Sequence, residues 1–404
     1  MNGGLGGRLQ NLFSREESSL ALAALTKLPD PVLILDGEMR VVLANQAAQK
    51  IFGSIDKGDA ISAIIRTPSV MAAIGNVLDG AADQMVDYSD LVPVERHYRA
   101  HIMPLRPDSG AKGTRNKYAV LVLHDLTEIK RSEQMRADFV ANASHELRTP
   151  LASLAGFIDT LRGHAREDEA AREQFLSIMQ VQAERMGRLI EDLLSLSRIE
   201  MNEHVVPEGA VDLMDIAKDV VDAMTPKAVE GDAKLVITCD GKPVSQGAAA
   251  KLGTVIGDRD ELIQVVQNLV DNAIKYGRRG GTVTLDLGQA VTDQSVTGLA
   301  SQTAVPATTF ASDKALYICV QDEGDGIARQ DLPRLTERFY RVDVKRSREE
   351  GGTGLGLAIV KHIVNRHRGW LSIDSILGEG SKFTVFLPCT ATRNTAAVIK
   401  GSQK

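Results

Sequence analysis

The sequence predicts a multidomain α+β chain: a mixed strand-and-helix module, then a helical hairpin, then a second α/β module. Three observations carry this expectation. At 404 residues the chain is too long for one ordinary core, so several units of roughly 100 to 200 residues are expected. Short β-rich runs fill the first third, and apolar residues then fall into helical spacing. Beyond about residue 208, strand-like and helix-like runs alternate. The divisions read this way are a lead-in at 1–27, modules at 28–129, 130–203 and 208–390, and a tail at 391–404.

In the first module, Pro31-Val32-Leu33-Ile34-Leu35-Asp36, then Gly37, then Arg40 to Asn45 reads as two strands around a tight turn. Further strands are expected at 95–104 and 117–125. This module has no cysteine for a flavin adduct. His97, His101 and His124 show no spacing specific to haem or a metal, so they read as surface or core residues.

In the second module, Leu147, Leu151, Leu154, Ile158 and Leu161 step by 4, 3, 4, 3. Phe175, Met179, Gln182, Met186, Leu189, Leu193 and Leu196 repeat that rhythm. Two amphipathic helices form a hairpin, and one hairpin cannot bury both seams. Pairing with a second copy into a four-helix bundle solves this. Gln182 is either a register device or a sign that the seam is phased differently. With about 100° per residue, His145 faces away from the seam. Pro150 has no N–H for the Glu146 carbonyl, which predicts a bend beside His145. An exposed imidazole next to a carboxylate is either a solvated surface pair or a reactive group, and this segment alone leaves both open.

The third module reads as helices at 214–223, 260–276 and 358–364, with strands at 234–238, 282–287, 316–321, 370–375 and 382–387. The Thr/Ser/Ala-rich run 288–313 reads as a loop insertion. Gly352, Gly354 and Gly356 precede the last helix, where backbone N–H groups can approach a polyphosphate. The spacing is not G-x-G-x-x-G, because Leu357 stands at the third glycine position, and a glycine run alone reads more simply as a flexible loop. Asn268 and Asn272 lie one turn apart with Lys275 and Tyr276 following, so their amide oxygens could serve Mg²⁺ and the lysine a phosphate. The alternative is a polar helix face. Asp322-Glu323-Gly324-Asp325-Gly326 adds a carboxylate able to hold a base.

Composition excludes other classes. The net charge is −6 with the basic residues dispersed, which argues against nucleic acid. Cys239, Cys319 and Cys389 lie far apart, giving neither a disulfide framework nor a zinc site and suiting a reducing cytosol. No window approaches the ~18 apolar residues of a membrane span, and MNGGLGGRLQ lacks signal-peptide character. The chain as it stands is therefore expected to be cytoplasmic, with a membrane link only through a partner or a preceding segment.

In order, "ASHELRTPL", "QNLVDNAIKY", "DEGDG", "ERFYRVD" and "GGTGLGLAIV" resemble the H, N, G1, F and G2 boxes of bacterial sensor histidine kinases, over 136–388. "PVLILDGEMRVVLANQAAQKIFG" and "LVLHDLTEIKRSE" resemble the opening and close of a PAS sensor domain, and the layout is most similar to phosphate-regulon sensor kinases. The resemblance implies a PAS domain, a dimeric helical hairpin and an α/β-sandwich ATP-binding domain of the GHKL type. It implies that His145 is the phosphoacceptor for the ATP γ-phosphoryl group, with Glu146 as base or orienter, and that the phosphoryl group passes to an aspartate of a response regulator. It places Asn272 on Mg²⁺, with Asn268, Lys275 and Tyr276 lining the nucleotide site. Asp322 would meet the adenine amino group, and Gly324 and Gly326 would permit the turn there. Gly352, Thr353, Gly354, Leu355 and Gly356 would form the phosphate loop. A lid at 339–352 would bring Arg341 to the γ-phosphate, and Thr149 would orient a water in a phosphatase reaction. Gly277, where relatives often carry a small hydroxyl residue, the 288–313 insertion and the lack of a membrane span depart from the pattern. Two other readings are an ATPase of the wider superfamily that uses ATP to drive closure, and a non-catalytic PAS scaffold. The first needs no exposed histidine on a bundle, and the second predicts gaps in the ATP motifs that the sequence does not show.

Overall fold

The computed structural model describes residues 20, 23–90, 95–105, 118–163, 165–244, 252–291, 314–343 and 352–389. The chain divides into two units, 1–141 and 142–404. In the first, β1 (Val32–Asp36) and β2 (Val41–Ala44) form the expected hairpin. Asp36 closes its turn: Oδ1 accepts the N–H groups of Glu38 and Arg40, both at 2.9 Å.

Helices α1 (Gln46–Phe52), α2 (Ile61–Ile64) and α3 (Pro68–Leu78) follow, then β3 (Gln84–Asp90), β4 (Arg96–Leu105) and β5 (Tyr118–Asp125). The five strands pair antiparallel in the order β2-β1-β5-β4-β3. Period-2 alternation buries Tyr98, Ala100 and Ile102 of β4 and Ala119, Leu121 and Leu123 of β5, and α3 covers them with Val70, Ile74 and Val77. The sequence reading missed α1–α3 and β3. In β3 (QMVDYSD) only Tyr88 is buried, so the strand shows little apolar alternation. Asn45, read as a strand end, is a junction instead: Oδ1 accepts from Val32 N (3.0 Å) and Ala48 N (2.9 Å), while Nδ2 donates to the Asp30 carbonyl (2.8 Å). It thus caps α1 and fixes the chain entering β1.

Helix α4 (Thr127–Arg162) enters the second unit and α5 (Glu169–Asn202) returns, capped by Asp168. The helix continues unbroken through Pro150, which is buried. Thr149 donates its hydroxyl to the His145 carbonyl at 3.3 Å, one turn back. Leu189, Leu196 and Ile199 are buried, but Leu151 and Ile158, assigned to the seam, remain 57% and 44% exposed in the single chain. Leu176, Val181, Ile190 and Leu194 are exposed as well.

After the hairpin come β6 (Ala210–Asp212), α6 (Leu213–Glu230), β7 (Lys234–Cys239), β8 (Lys242–Pro243) and β9 (Thr254–Ile256). Next are α7 (Arg259–Tyr276), β10 (Thr282–Val291), β11 (Lys314–Asp322), α8 (Gly356–Arg366), β12 (Trp370–Ile376) and β13 (Gly380–Pro388). Six strands form a mixed sheet in the order β12-β13-β11-β10-β7-β8, with β10 and β7 parallel and the other neighbours antiparallel. Its core is Ile216 and Val220 of α6, Leu262, Val266 and Leu269 of α7, and Ile359 and Ile363 of α8, against Leu285, Ile318 and Val385. Two boundaries differ from expectation. Helix α6 reaches Glu230, past Pro226, and β10 runs to Val291 because Gly288–Val291 pair with Tyr317–Lys314. The first four residues of the supposed insertion are therefore sheet. The rest of it (292–313), lid residues 344–351, most of the lead-in and the tail lie outside the described residues.

Candidate active site

Helix α7 makes one wall of the site. Asp258 caps it by accepting from the N–H groups of Asp260 (3.1 Å) and Glu261 (3.3 Å). Leu262, Val265, Val266, Leu269 and Val270 turn into the core, so Gln264, Asn268, Asp271, Asn272 and Lys275 face a cavity of about 650 Å³. Asn268 donates through Nδ2 to the Gln264 carbonyl at 3.0 Å. Its Oδ1 lies at the start of α8, where a Cβ on Gly356 would come within 2.8 Å of it. Lys275 pairs with Asp271 at 2.5 Å, and Lys227 of α6 pairs with the same carboxylate. Burial pushes the Asp271 carboxyl up, but the two lysines outweigh it and hold it below the ordinary carboxylate value.

The second wall is the end of β11. Asp322 is 5% exposed and its Oδ1 accepts the Gly324 N–H at 2.8 Å. Burial pushes its carboxyl up against the backbone hydrogen bonds from Gly324 and Ser381. Gly326, at φ 68°, packs so closely that a Cβ would lie 2.1 Å from the Ile376 carbonyl, so only glycine fits.

The third wall is the glycine-rich approach to α8. Gly352, Thr353, Gly354 and Gly356 line the cavity, with Tyr276 and Asp325 nearby. Gly354 adopts φ 74° and its carbonyl accepts the Phe339 N–H at 2.8 Å, tying the start of the expected lid to this loop. Two of the residues expected in the nucleotide site do not line the cavity. Leu355 is fully buried, because it precedes α8 on the side facing the core, and Gly324 acts through its backbone at the Asp322 turn.

The hairpin supplies a fourth wall that the sequence did not reveal: Arg188, Glu191 and Asp192 of α5. Thr353 donates its hydroxyl to Asp192 Oδ2 at 2.6 Å. Arg341, 6% exposed, donates from Nη2 to the Thr353 carbonyl (2.9 Å) and to Glu146 Oε2 (3.0 Å). Arg185 reaches the same Glu146 oxygen at 3.4 Å. Arg341 thus lines the cavity but has a hairpin carboxylate as its partner. His145 is 68% exposed, as its helical phase predicted, and its Nδ1 stands 4.0 Å from Glu146 Oε1, beyond hydrogen-bond reach. Neither His145 nor Thr149 lines the cavity.

Asp271 carried a local signal, since it stands four residues before Lys275. Asp192 carried none, because its partner is 161 residues away. Among the described residues no group of three or more His, Cys, Asp or Glu could hold a metal. A metal here would instead rely on amide oxygens, phosphates and water, which suits Mg²⁺ and the pair Asn268 and Asn272.

The chain matches known family models and relatives. Residues 257–391 match the "Histidine kinase-, DNA gyrase B-, and HSP90-like ATPase" family model, 135–202 the "His Kinase A (phospho-acceptor) domain" and 25–131 the "PAS fold". The phosphate regulon sensor protein PhoR of Pseudomonas aeruginosa is 34% identical over 381 residues, covering 94% of this chain and 75% of its own. The sensor histidine kinase WalK of Bacillus subtilis is 34% identical over 269 residues, covering 67% of this chain and 39% of its own. A solved structure of the histidine kinase ThkA in complex with the response regulator protein TrrA superposes with a TM-score of 0.45 at 18% identity, covering 91% of this chain and 98% of that one. Among the described residues no helix is long and apolar enough to cross a membrane.

Proposed function

The chain belongs to the family of sensor histidine kinases, and on that premise we propose that it phosphorylates itself on His145 from ATP and passes the phosphoryl group to an aspartate of a response regulator. The observation that carries this reading is the cavity itself. It gathers Asn268, Asn272, Lys275, Asp322 and the glycine-rich loop on one module and is walled by the same hairpin that exposes His145.

The buried Asp322 carboxyl takes the amino edge of the adenine, and the N–H groups at the start of α8 face the phosphates. Lys275 offsets phosphate charge. Asn272, with Asn268 beside it, would hold Mg²⁺, which would offset phosphate charge. A neutral His145 attacks the γ-phosphorus through Nε2, the bond from that phosphorus to the bridging oxygen breaks, and ADP leaves with the electron pair. The imidazole then carries its extra proton on Nδ1, the nitrogen nearer Glu146, which accepts it once Arg341 has turned from Glu146 to the phosphate. That exchange is part of the proposed step because Glu146 receives both Arg341 and Arg185 in this structure.

The exposed apolar positions Leu151, Ile158, Leu176, Val181 and Leu194 support pairing with a second copy, giving a four-helix bundle. Thr149, one turn after His145, supports a phosphatase reaction in which its hydroxyl orients water against the phosphorylated regulator. The likeness to the Pseudomonas phosphate sensor supports a phosphate-regulon role. The boundaries 28–129, 130–203 and 208–390 stand as the proposed sensor, phosphotransfer and ATP-binding domains. The test of the reading is transfer of label from γ-labelled ATP to the protein and then to candidate regulators, with and without Mg²⁺. No labelled protein under any of these conditions would contradict it.

A further inference from the structure

This inference rests on the nucleotide reading above and adds a residue to it. Asp192 belongs to the hairpin, yet its carboxylate lines the cavity and accepts the Thr353 hydroxyl at 2.6 Å. Thr353 stands between Gly352 and Gly354, in the stretch whose backbone leads into α8 and faces the phosphate region. Its carbonyl is held by Arg341, and Arg341 is held by Glu146 of α4. Both hairpin helices therefore grip one residue of the phosphate loop. Burial pushes the Asp192 carboxyl up, ahead of the Thr353 hydrogen bond and the charges of Lys275 and Arg188 that pull it down, so this anion is poorly solvated where it sits.

A polyphosphate drawn to the loop would meet a carboxylate already bound to the loop hydroxyl and partly desolvated by burial, where charge repulsion is screened less than in bulk water. We propose that Asp192 sets the nucleotide affinity of the kinase: with the hairpin docked, its carboxylate occupies the Thr353 hydroxyl as an internal anion that the nucleotide must displace. Linkage makes the effect reciprocal, so nucleotide binding loosens the hold of the hairpin on the loop by the same factor. Glu191, Asp271 and Asp343 also line the cavity and add to its negative charge. None of them is bonded to the loop hydroxyl as Asp192 is.

The test is the affinity of the whole chain for a non-hydrolysable ATP analogue, measured by titration calorimetry with and without Mg²⁺. Asp192→Asn keeps the shape and removes the charge, and Asp192→Ser gives a second neutral variant. Both should tighten binding about tenfold, within the ~5- to 150-fold range of ordinary coupling, with the larger gain in the absence of Mg²⁺. In a Thr353→Val background the gain from Asp192→Asn should shrink to within about twofold, because the two residues act as one unit. Thr353→Ser should restore the full gain. Unchanged or weaker binding in both neutral variants overturns the proposal, as does an equal gain in the Thr353→Val background. A wild-type chain that binds no analogue contradicts the nucleotide reading itself, whereas wild-type binding without an Asp192 effect contradicts only this inference.

Discussion

Asn45 in the first unit and Asn268 in the second are the same side chain put to opposite uses. Asn45 is 1% exposed and fully engaged, accepting from Val32 and Ala48 and donating to Asp30 within 3.0 Å. Among the described residues Asn268 donates to its own helix, at the Gln264 carbonyl, and presents its oxygen to the cavity at the start of α8. Near Asn45 the bonds serve the fold, whereas Asn268 and Asp322 are held in place facing the cavity. A site is recognised by the second pattern.

The contrast can be broken most forcefully at Asn45. Asn45→Ala leaves buried backbone groups of Val32, Ala48 and Asp30 without their partner, so we expect a loss of about 2–4 kcal/mol in the stability of the first unit. Hydrogen exchange of β1 and β5 amides reads this, and analogue affinity should not change. A stable variant with reduced nucleotide binding would reverse the assignment.

Asn272→Ala is the mirror case. It should lower Mg²⁺-dependent nucleotide affinity on the order of a hundredfold, with a melting temperature within ~2 °C of wild type. A large fall in melting temperature with intact affinity would make Asn272 another Asn45. Smaller in effect, Thr149→Ala should slow dephosphorylation of the regulator about tenfold while autophosphorylation stays within about twofold of wild type, measured as separate rates. Equal losses in both rates would point to a helix defect beside Pro150.

The smallest expected effect concerns a buried group that serves only the fold. His367 is 2% exposed; Nε2 accepts the Asp258 N–H at 2.9 Å and Nδ1 donates to the Ile363 carbonyl at 2.8 Å. Burial holds its pKa below the ordinary histidine value of 6.5, against the Ile363 hydrogen bond and the nearby Glu261. A depressed folded value favours the neutral ring, so its contribution is present above pH ~6.5 and is lost as pH falls through the lowered folded value. His367→Gln should therefore flatten the decline of stability on that acidic side, followed in urea titrations between pH 7 and pH 5. A decline unchanged by the substitution would assign the acid sensitivity to other groups.

Much of this was legible in the sequence because it rests on local spacing. The 3–4 rhythm from Leu147 to Leu196 gave the hairpin, the phase of His145 gave its exposure, and Asn268 with Asn272 gave one helix face. Where local pattern is weak the reading failed. Strand β3 buries only Tyr88, and α6 passes through Pro226, a residue that local propensity treats as a stop. The fourth wall was invisible for another reason. Asp192 meets Thr353 across 161 residues, and Glu146 meets Arg341 across 195, so only the fold brings them together. The boxes pointed to three walls of the cavity, and tertiary structure added the fourth.

The central claim is that the exposed imidazole of His145 receives the phosphoryl group from the cavity walled by Asn272 and Asp322. Its most direct measurement is the incubation of wild type and His145→Gln with γ-labelled ATP and Mg²⁺, followed by acid and alkali treatment of the protein. The account predicts acid-labile, alkali-stable label on wild type and none on His145→Gln, with analogue affinity equal in the two proteins. Label that survives acid, or that persists in His145→Gln, would contradict it.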